Sequence, residues 1–260
     1  MKYETIAVEQ DGASLVVTLR RPERRNAVST VVMGEIIHAA EAAEREPSVR
    51  AIILTGGTEY FSAGADLNDA LAIASPAEGV AYFKKWHRLC STLEELAKPV
   101  LAAIEGFCMT GGCELALACD LRVAGAGSSF AVTSSKIGTV AGAGGTQRLP
   151  RIVGPAKALE IMFAGDPIDA DEAYRIGLVN RLVAKGGALV EAKAMVEVYE
   201  QRAPLSLAWI KRSVHRGMQM DLTSAIEFET FLVSTIYQTA DRKEGISAFL
   251  DKRQAKFAGK

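Results

Sequence analysis

The stretch that decides the fold is Gly111-Gly112-Cys113-Glu114-Leu115-Ala116-Leu117-Ala118-Cys119-Asp120. It follows the apolar run Pro99-Val100-Leu101-Ala102-Ala103-Ile104, which predicts a buried strand. The two glycines then open a helix of small apolar residues, and such a helix can be packed on nearly every side. The pattern therefore predicts a strand, a short loop and a buried helix at the centre of the fold.

Glu114 lies in the first turn of this helix and is its only ionisable residue before Asp120. Two interpretations are open. Glu114 could cap its own helix, because the N-terminal end attracts carboxylates. It could instead be a catalytic carboxylate beside backbone N–H groups that hold an oxyanion. Burial raises a carboxyl pKa and the helix dipole lowers it, so the sequence alone predicts no net direction.

Strand and helix patterns alternate on both sides of this stretch. They predict a hairpin over residues 5–20, a helix from Ser29 to about Glu46, a buried strand over 49–55 and a helix from Ser75 to about Ala97. This alternation is typical of an α/β fold with parallel strands. Beyond Gly154 the pattern becomes helical, which predicts a core over residues 1–153 and a helical region over 154–260.

The helix that begins at Ser75 carries an aromatic cluster and one histidine. Tyr82, Phe83 and Trp86 could shape a substrate pocket, although an aromatic stripe on a helix is more often part of the core. His87 follows Trp86 directly and is expected to point to solvent.

The bulk composition excludes several classes of protein. The 260 residues have a net charge of -1, so no excess of positive charge indicates nucleic acid or an anionic membrane as a partner. No apolar run approaches the ~20 residues of a membrane helix. The N-terminus shows no apolar signal region, and a cytoplasmic location is expected. The four cysteines and three histidines lack metal-ligand spacing, so neither a metal site nor a disulfide is predicted.

Two loops invite a ligand-binding interpretation. Residues 21–26 contain three arginines, which indicate either a solvated loop or a contact to an anion such as phosphate. Residues 138–145 are glycine-rich. They lack the Gly-Lys-Ser/Thr of a P-loop, and Gln147 stands where a dinucleotide fingerprint needs its third glycine. Nucleotide binding is therefore not expected.

Four stretches together resemble the crotonase superfamily, the enoyl-CoA hydratase/isomerase family, over essentially the whole chain. They are Arg21-Pro22 with Asn26-Ala27, Phe61-Ser62-Ala63-Gly64-Ala65-Asp66-Leu67, Lys98-Pro99 through Gly111-Gly112-Cys113-Glu114 to Asp120, and Gly142-Ala143-Gly144-Gly145-Thr146-Gln147-Arg148-Leu149-Pro150. Each stretch is moderately specific, and the family is indicated by their order and spacing.

The resemblance implies an α/β fold, a crotonase-like spiral of ββα repeats with a helical C-terminal region that assembles trimers or dimers of trimers. It implies an acyl-CoA thioester substrate without a metal or separate cofactor, since coenzyme A is part of the substrate. Glu114 matches a catalytic glutamate, and Ala65 and Gly111 match the two oxyanion-hole N–H donors. The matching substrate-binding positions are Arg24, Arg25, Ala63, Asp66, Leu67, Ser134, Gly142 and Lys252.

The chain departs from the family pattern at one important position. Hydratases of the family use a second glutamate 20 residues after the first, and here that position is Ser134. No carboxylate occurs from Leu121 to Pro150. Glu105 stands where the family usually has a smaller polar residue, and whether it compensates is open.

The missing glutamate leaves four interpretations. Glu114 could hydrate a 2-enoyl-CoA through one water molecule, or it could isomerise a double bond by shuttling one proton. The substrate could be a cyclic or conjugated dienoyl-CoA that assists electronically. Alternatively, the chain could be a non-catalytic member that binds acyl-CoA or RNA, although its near-neutral charge disfavours RNA.

Overall fold

Two β-sheets form the framework of the computed structural model, which describes residues 2–260. The strands within these residues are β1 (Ile6–Asp11), β2 (Ser14–Leu19), β3 (Ala51–Thr55), β4 (Val100–Ile104), β5 (Phe107–Met109), β6 (Leu121–Gly125), β7 (Ser129–Ala131), β8 (Ile168–Asp169) and β9 (Arg181–Val183).

The helices surround these sheets and dominate the C-terminal part. They are α1 (Thr30–Arg45), α2 (Leu67–Leu71), α3 (Pro76–Glu95), α4 (Gly111–Leu117), α5 (Gly145–Val153), α6 (Pro155–Ala164), α7 (Ala170–Arg175), α8 (Ala188–Glu200), α9 (Pro204–Gly217), α10 (Leu222–Ile236) and α11 (Ala240–Leu250). Two short 3-10 turns cover Pro22–Arg24 and Ser134–Ile137.

The larger sheet has the order β1-β2-β3-β4-β6-β9. β1 and β2 form the predicted antiparallel hairpin, with Ile6 opposite Leu19. The remaining neighbours are parallel. Every residue of β3 and of β4 is buried, as expected for parallel strands covered on both faces. The smaller sheet has the order β5-β7-β8. The prediction of an α/β fold with parallel strands is confirmed.

The predicted helix starts are also found in the structure. Ser29 accepts a hydrogen bond from the N–H of Val32, and Ser75 accepts one from the N–H of Glu78. These side chains satisfy N–H groups that have no partner within the helix. α3 ends at Glu95, slightly before the predicted boundary, because Leu96 already has an extended ψ of 142° ahead of Lys98-Pro99.

Helices cover both faces of the larger sheet. Ile52 and Leu54 of β3 point into the main core, while their neighbours Ala51 and Ile53 pack into a smaller cluster with Ala188, Ala192 and Val196 of α8. This division follows from the alternation of side chains along a strand. The main core also contains Ala158 and Ile161 of α6. The boundary predicted near residue 154 stays a prediction.

α9 is attached to the centre of the fold by a buried cation. Lys211 Nζ lies 2.9 Å from Asp120 Oδ2 and donates to the carbonyl oxygens of Leu93 and Lys98. Asp120 also accepts from the N–H of Val100. Asp120 is the last residue of the central stretch that contains Glu114. Through Asp120, α9 is therefore joined to β4 and to the end of this stretch. Within residues 2–260, no helix is long and apolar enough to cross a membrane.

Candidate active site

A cavity of about 390 Å³ lies against the N-terminal end of α4. Elements far apart in sequence form its walls: the loop before α2, α2 itself, one face of α3, the first turn of α4 and the segment around Ser134. Its lining includes Ala65, Gly111, Glu114, Ser134, Tyr82 and Trp86. Segments that follow β2, β3, β5 and β7 supply most of these walls, so both sheets position the site.

Glu114 is held at this cavity by a neighbouring segment. Its side chain is buried, with 3 % of the residue exposed. Oε1 accepts hydrogen bonds from the N–H of Ala143 at 2.7 Å and of Gly145 at 2.8 Å. Oε2 accepts none from residues 2–260, and the side chain lines the cavity. Glu114 is therefore bound to the start of α5, and the interpretation that it caps its own helix is wrong.

The surroundings of Glu114 decide the direction that the sequence left open. Burial raises the pKa of its carboxyl group from an ordinary 4.5 to about 7, although the two backbone donors and the charge of Arg148 act in the opposite direction. A group with such a pKa exists in both protonation states near neutral pH. It is therefore suited both to accept and to donate a proton.

The N–H groups of Ala65 and Gly111 form a pair at the cavity wall. Val28 donates to the carbonyl of Gly64 and accepts from the N–H of Asp66, so the N–H of Ala65 between them points away from Val28. Gly111 is the first residue of α4 and has no acceptor within the helix. A Cβ at Gly111 would lie 2.8 Å from the Ala65 nitrogen. Glycine is therefore needed for this close approach, and two neighbouring donors result.

Thr110 sets the direction of the Gly111 N–H. Its backbone has φ 38° and ψ −104°, an unfavourable conformation for a β-branched residue. Thr110 donates its own N–H to Ala131, and its hydroxyl group lies 2.7 Å from that of Thr133. These contacts to β7 and the following residues hold the strained backbone in place.

The glycine-rich segment supplies the two donors that hold Glu114. Gly144 has φ +103°, and a Cβ there would collide with Nη1 of Arg148. Arg148 donates through Nη1 to the carbonyl of Ala143 at 3.0 Å and forms a two-point ion pair with Glu94 of α3. The glycines of this segment thus allow its backbone to pack closely around the carboxylate of Glu114.

An aromatic wall from α3 closes another side of the cavity. Tyr82, Phe83 and Trp86 all line it. Trp86 and Tyr82 are also buried in the main core. The core interpretation is thus confirmed for Tyr82 and Trp86, while the role of the three rings in shaping a substrate pocket stays a prediction.

Most of the predicted substrate-binding residues lie together. Arg24, Ala63, Asp66, Leu67 and Ser134 line the cavity with the three predicted catalytic positions. The carboxylate of Asp66 is occupied, since Arg21 donates to it at 2.9 Å and the N–H of Asn68 at 3.0 Å. Burial by itself would raise the pKa of the Asp66 carboxyl group. The hydrogen bonds outweigh this effect, so its pKa lies below the ordinary value.

Three predicted residues are not part of the cavity lining: Arg25, Gly142 and Lys252. Arg25 is exposed, with its carbonyl accepting from the N–H of Ala63. Gly142 packs against the ring of Phe83, where a Cβ would lie 2.2 Å from the ring. Lys252 is exposed after the end of α11. Their roles in substrate binding stay predictions.

Glu105 does not replace the missing glutamate in the cavity. It is buried, and its Oε1 accepts from the N–H of Ala188 at the start of α8. Its Oε2 has no hydrogen-bond partner within residues 2–260 and lies against Gly125. Glu105 does not line the cavity. It therefore caps α8 on the other side of the sheet.

The groups that hold Glu114 carry no sequence signal for this role. Ala143, Gly145 and Arg148 lie in one of the quoted stretches, but nothing in it indicated that it would meet Glu114. Glu94 carries no signal that distinguishes it from the other charged residues of α3. His87 was expected to point to solvent. It is exposed, but its Nε2 lies 3.0 Å from the carbonyl oxygen of Gly142.

Comparisons with known proteins find matches over nearly the whole chain. A family model described as enoyl-CoA hydratase/isomerase matches residues 9–260. The crotonyl-CoA hydratase of Syntrophomonas wolfei is 38 % identical over 263 residues, covering 100 % of both chains. The short-chain-enoyl-CoA hydratase of Clostridium acetobutylicum is 36 % identical, covering 98 % of this chain and 97 % of the relative. A crystal structure of an enoyl-CoA hydratase subunit from Geobacillus kaustophilus has a TM-score of 0.94 at 36 % identity, with both chains fully covered.

Proposed function

Since the chain belongs to the enoyl-CoA hydratase/isomerase family, we propose that it hydrates a 2-enoyl-CoA or dienoyl-CoA thioester, with Glu114 as its single catalytic glutamate. One observation carries this proposal. Two backbone N–H groups fix Oε1 of Glu114, while Oε2 is left unpaired beside a cavity that also contains the N–H groups of Ala65 and Gly111.

The two N–H groups provide the electrostatic part of the mechanism. When an oxygen nucleophile adds to C3 of the enoyl group, the electron pair of the double bond moves to C2 and onto the thioester oxygen. The resulting enolate oxygen accepts hydrogen bonds from Ala65 and Gly111. Donors fixed before the reaction need no reorganisation, and losing one such donor costs ~3 kcal/mol in comparable sites. The N-terminal end of α4 adds its positive dipole.

Glu114 supplies and removes the proton. In its ionised form, Oε2 accepts a proton from a water molecule, whose oxygen forms a bond to C3. The carboxylic acid then donates this proton to C2 as the enolate collapses. The hydroxyl group and the proton of one water molecule are thereby added across the double bond, and the carboxylate is regenerated. A pKa of about 7 makes both steps accessible at neutral pH.

Ser134 would orient water in this scheme without transferring a proton. It is buried at the cavity wall where the second glutamate was expected. A hydroxyl group can donate and accept hydrogen bonds, but it is too weak an acid to replace a carboxyl group. We therefore assign the whole proton transfer to Glu114.

Double-bond isomerisation is a second candidate function. Asp66 and Glu114 are the carboxylates among the described lining residues, and Asp66 is bound to Arg21. One free carboxylate is sufficient to take a proton from C2 of a 3-enoyl-CoA, which gives an enolate conjugated with the C3–C4 double bond, and to return that proton to C4, which leaves the double bond between C2 and C3. No water molecule takes part in this reaction.

A spectrophotometric assay distinguishes these functions. Hydration of crotonyl-CoA removes the conjugated enoyl absorbance, and mass spectrometry would then detect the 3-hydroxyacyl product. Isomerisation of a 3-enoyl-CoA increases that absorbance without a change in mass. If neither substrate turned over while acyl-CoA still bound, the chain would be a binding member of the family, and the proposal would be wrong.

One exposed arginine would bind the coenzyme A part of the substrate. Arg24 borders the cavity and would contact the phosphates of coenzyme A.

The helices at the C-terminus expose many large apolar side chains, including Ile226 at 53 %, Phe231 at 66 % and Phe249 at 83 %. Apolar surface of this extent is typical of an interface. We propose further copies of this chain as its partner, in a trimer or a dimer of trimers.

A further inference from the structure

One peptide group connects Glu114 with an exposed histidine. The amide between Gly142 and Ala143 places its carbonyl oxygen 3.0 Å from Nε2 of His87, and its N–H donates to Glu114 Oε1 at 2.7 Å. A carbonyl oxygen only accepts, so Nε2 of His87 must carry the hydrogen atom. Both contacts involve the same planar, resonance-coupled unit.

We propose that His87 is a positioning residue for Glu114 and acts through the Gly142–Ala143 peptide group. The inference rests on the proposed role of Glu114 as the acid/base. Hydrogen bonds in a chain polarise one another, so donation to the carbonyl oxygen strengthens the N–H as a donor. A stronger donor at Oε1 stabilises the ionised carboxylate and holds it in the orientation that leaves Oε2 facing the cavity.

The arrangement of α3 supports this role. His87, Cys90 and Glu94 follow one another at intervals of three and four, which places them on one face of the helix. The Cys90 sulfur lies 3.6 Å from the carbonyl of Ala143, and Glu94 holds Arg148, which donates to the same carbonyl. The glycine-rich segment is thus fixed at several points. His87 contacts the carbonyl oxygen of the Gly142–Ala143 peptide group, whose N–H donates to Glu114.

Other groups near Glu114 do not obscure this effect. Arg148 from α5 faces Glu114 with a charge that is permanent at neutral pH. Tyr82 and Cys90 face it from α3. Burial raises the pKa of Cys90 to about 12 and raises that of Tyr82, so both stay neutral in the range where Glu114 titrates. On its own helix, His87 is flanked by the exposed cations Lys84, Lys85 and Arg88.

The test is a direct titration of Glu114 by NMR of protein labelled with ¹³C at the glutamate carboxyl groups. Glu114→Gln identifies the resonance. In His87→Leu the titration midpoint of Glu114 should rise by about 0.3 pH unit, since one hydrogen bond strengthens the next by ~10–30 %. His87→Gln keeps an N–H donor and should stay near the parent midpoint. Arg88→Leu, an exposed change on the same helix, should leave the midpoint in place.

Three outcomes would overturn the inference. They are an unchanged midpoint in His87→Leu, an equal shift in His87→Gln, and an equal shift in Arg88→Leu. His87→Ala provides a second variant without a donor, and circular dichroism checks that each protein is folded. The titration requires no turnover, so a failure of the proposed hydration reaction would leave this result valid. An unchanged midpoint together with normal hydration would refute the role of His87 alone.

Discussion

Glu94 and Arg148 form a two-point ion pair that fixes the segment holding Glu114. Nε of Arg148 lies 2.6 Å from Oε1 of Glu94, and Nη2 lies 2.8 Å from Oε2. The third nitrogen, Nη1, donates to the carbonyl of Ala143, the residue whose N–H reaches Glu114. A helix of the cavity wall is thereby connected to the position of Glu114, the proposed catalytic carboxylate.

Removal of this ion pair should destabilise the protein. The side chains of Arg148 and Glu94 are 18 % and 24 % exposed, so Arg148→Leu leaves a mostly buried carboxylate without a partner. We expect the free energy of unfolding to fall by about 2 kcal/mol, measured by urea denaturation. Arg175→Leu breaks the more exposed pair with Glu172 and should cost less, because solvent screens that pair. Equal losses in the two variants would contradict the anchoring role of Arg148.

Glu114→Gln should abolish turnover and leave binding of the CoA ester nearly intact. Glutamine keeps the shape and an acceptor oxygen, but it does not exchange a proton at neutral pH. A positioned acid/base contributes ~100-fold or more to the rate. Steady-state kinetics measure the loss, and calorimetry measures the binding of a non-reactive acyl-CoA.

Glu105→Gln is the matched control for Glu114→Gln. It makes the same change at another buried glutamate that lies outside the cavity, and it should keep the parent rate. A Glu114→Gln protein that retained more than about a tenth of the rate, a barrier change of only ~1.4 kcal/mol, would show that another group is the acid/base.

The raised pKa of Glu114 should make stability depend on pH. Between its ordinary value of 4.5 and about 7, the folded protein holds a proton that the unfolded chain has released. The free energy of unfolding therefore falls as pH rises through this window, by ~3 kcal/mol in total at 1.36 kcal/mol for each pH unit. Urea denaturation of the parent and of Glu114→Gln from pH 4.5 to pH 8 measures the difference. Parallel curves for the two proteins would show that Glu114 titrates near its ordinary value.

Ser134→Glu should raise the hydration of crotonyl-CoA above that of the parent. Ser134 lines the cavity together with Glu114, and the family resemblance predicts the second glutamate of hydratases at this position. A second acid/base would add up to ~100-fold, and less if the two carboxylates shift each other's pKa. The rates are compared at equal concentrations of folded protein. Ser135→Glu, on the neighbouring exposed residue, is the control. An unchanged rate in folded Ser134→Glu would mean that the cavity is built for chemistry that needs Glu114 alone.

The protein should be a trimer or a dimer of trimers in solution. Light scattering should give three or six times the 27.7 kDa mass of the chain. Phe231→Asp places a charge on the exposed apolar face of α10 and should shift the protein towards smaller species, because burying that charge is costly. Glu227→Ala changes an exposed polar residue of the same helix and should not. A stable monomer of the parent at micromolar concentration would contradict this prediction.

The sequence by itself determined the fold class and the local setting of Glu114 at a helix N-terminus. The continuous apolar runs of β3 and β4 predicted parallel strands, because strands covered on both faces need no polar side. The caps Ser29 and Ser75 predicted two helix starts, because these signals involve residues a few positions apart. The glycine pair and Glu114 predicted a carboxylate beside a helix N-terminus for the same local reason.

Only the tertiary structure decided what Glu114 contacts and how it titrates. Its partners Ala143 and Gly145 lie about 30 residues away in sequence, and they contribute backbone N–H groups, which no side-chain pattern reveals. The balance between burial and the helix dipole depends on how completely the neighbours exclude water, and burial prevails. Glu94, Arg148 and His87 gained their roles in the same way, because α3 packs against a segment that its own sequence does not specify. Contacts of this kind depend on the folded arrangement of distant segments, which no local sequence pattern specifies.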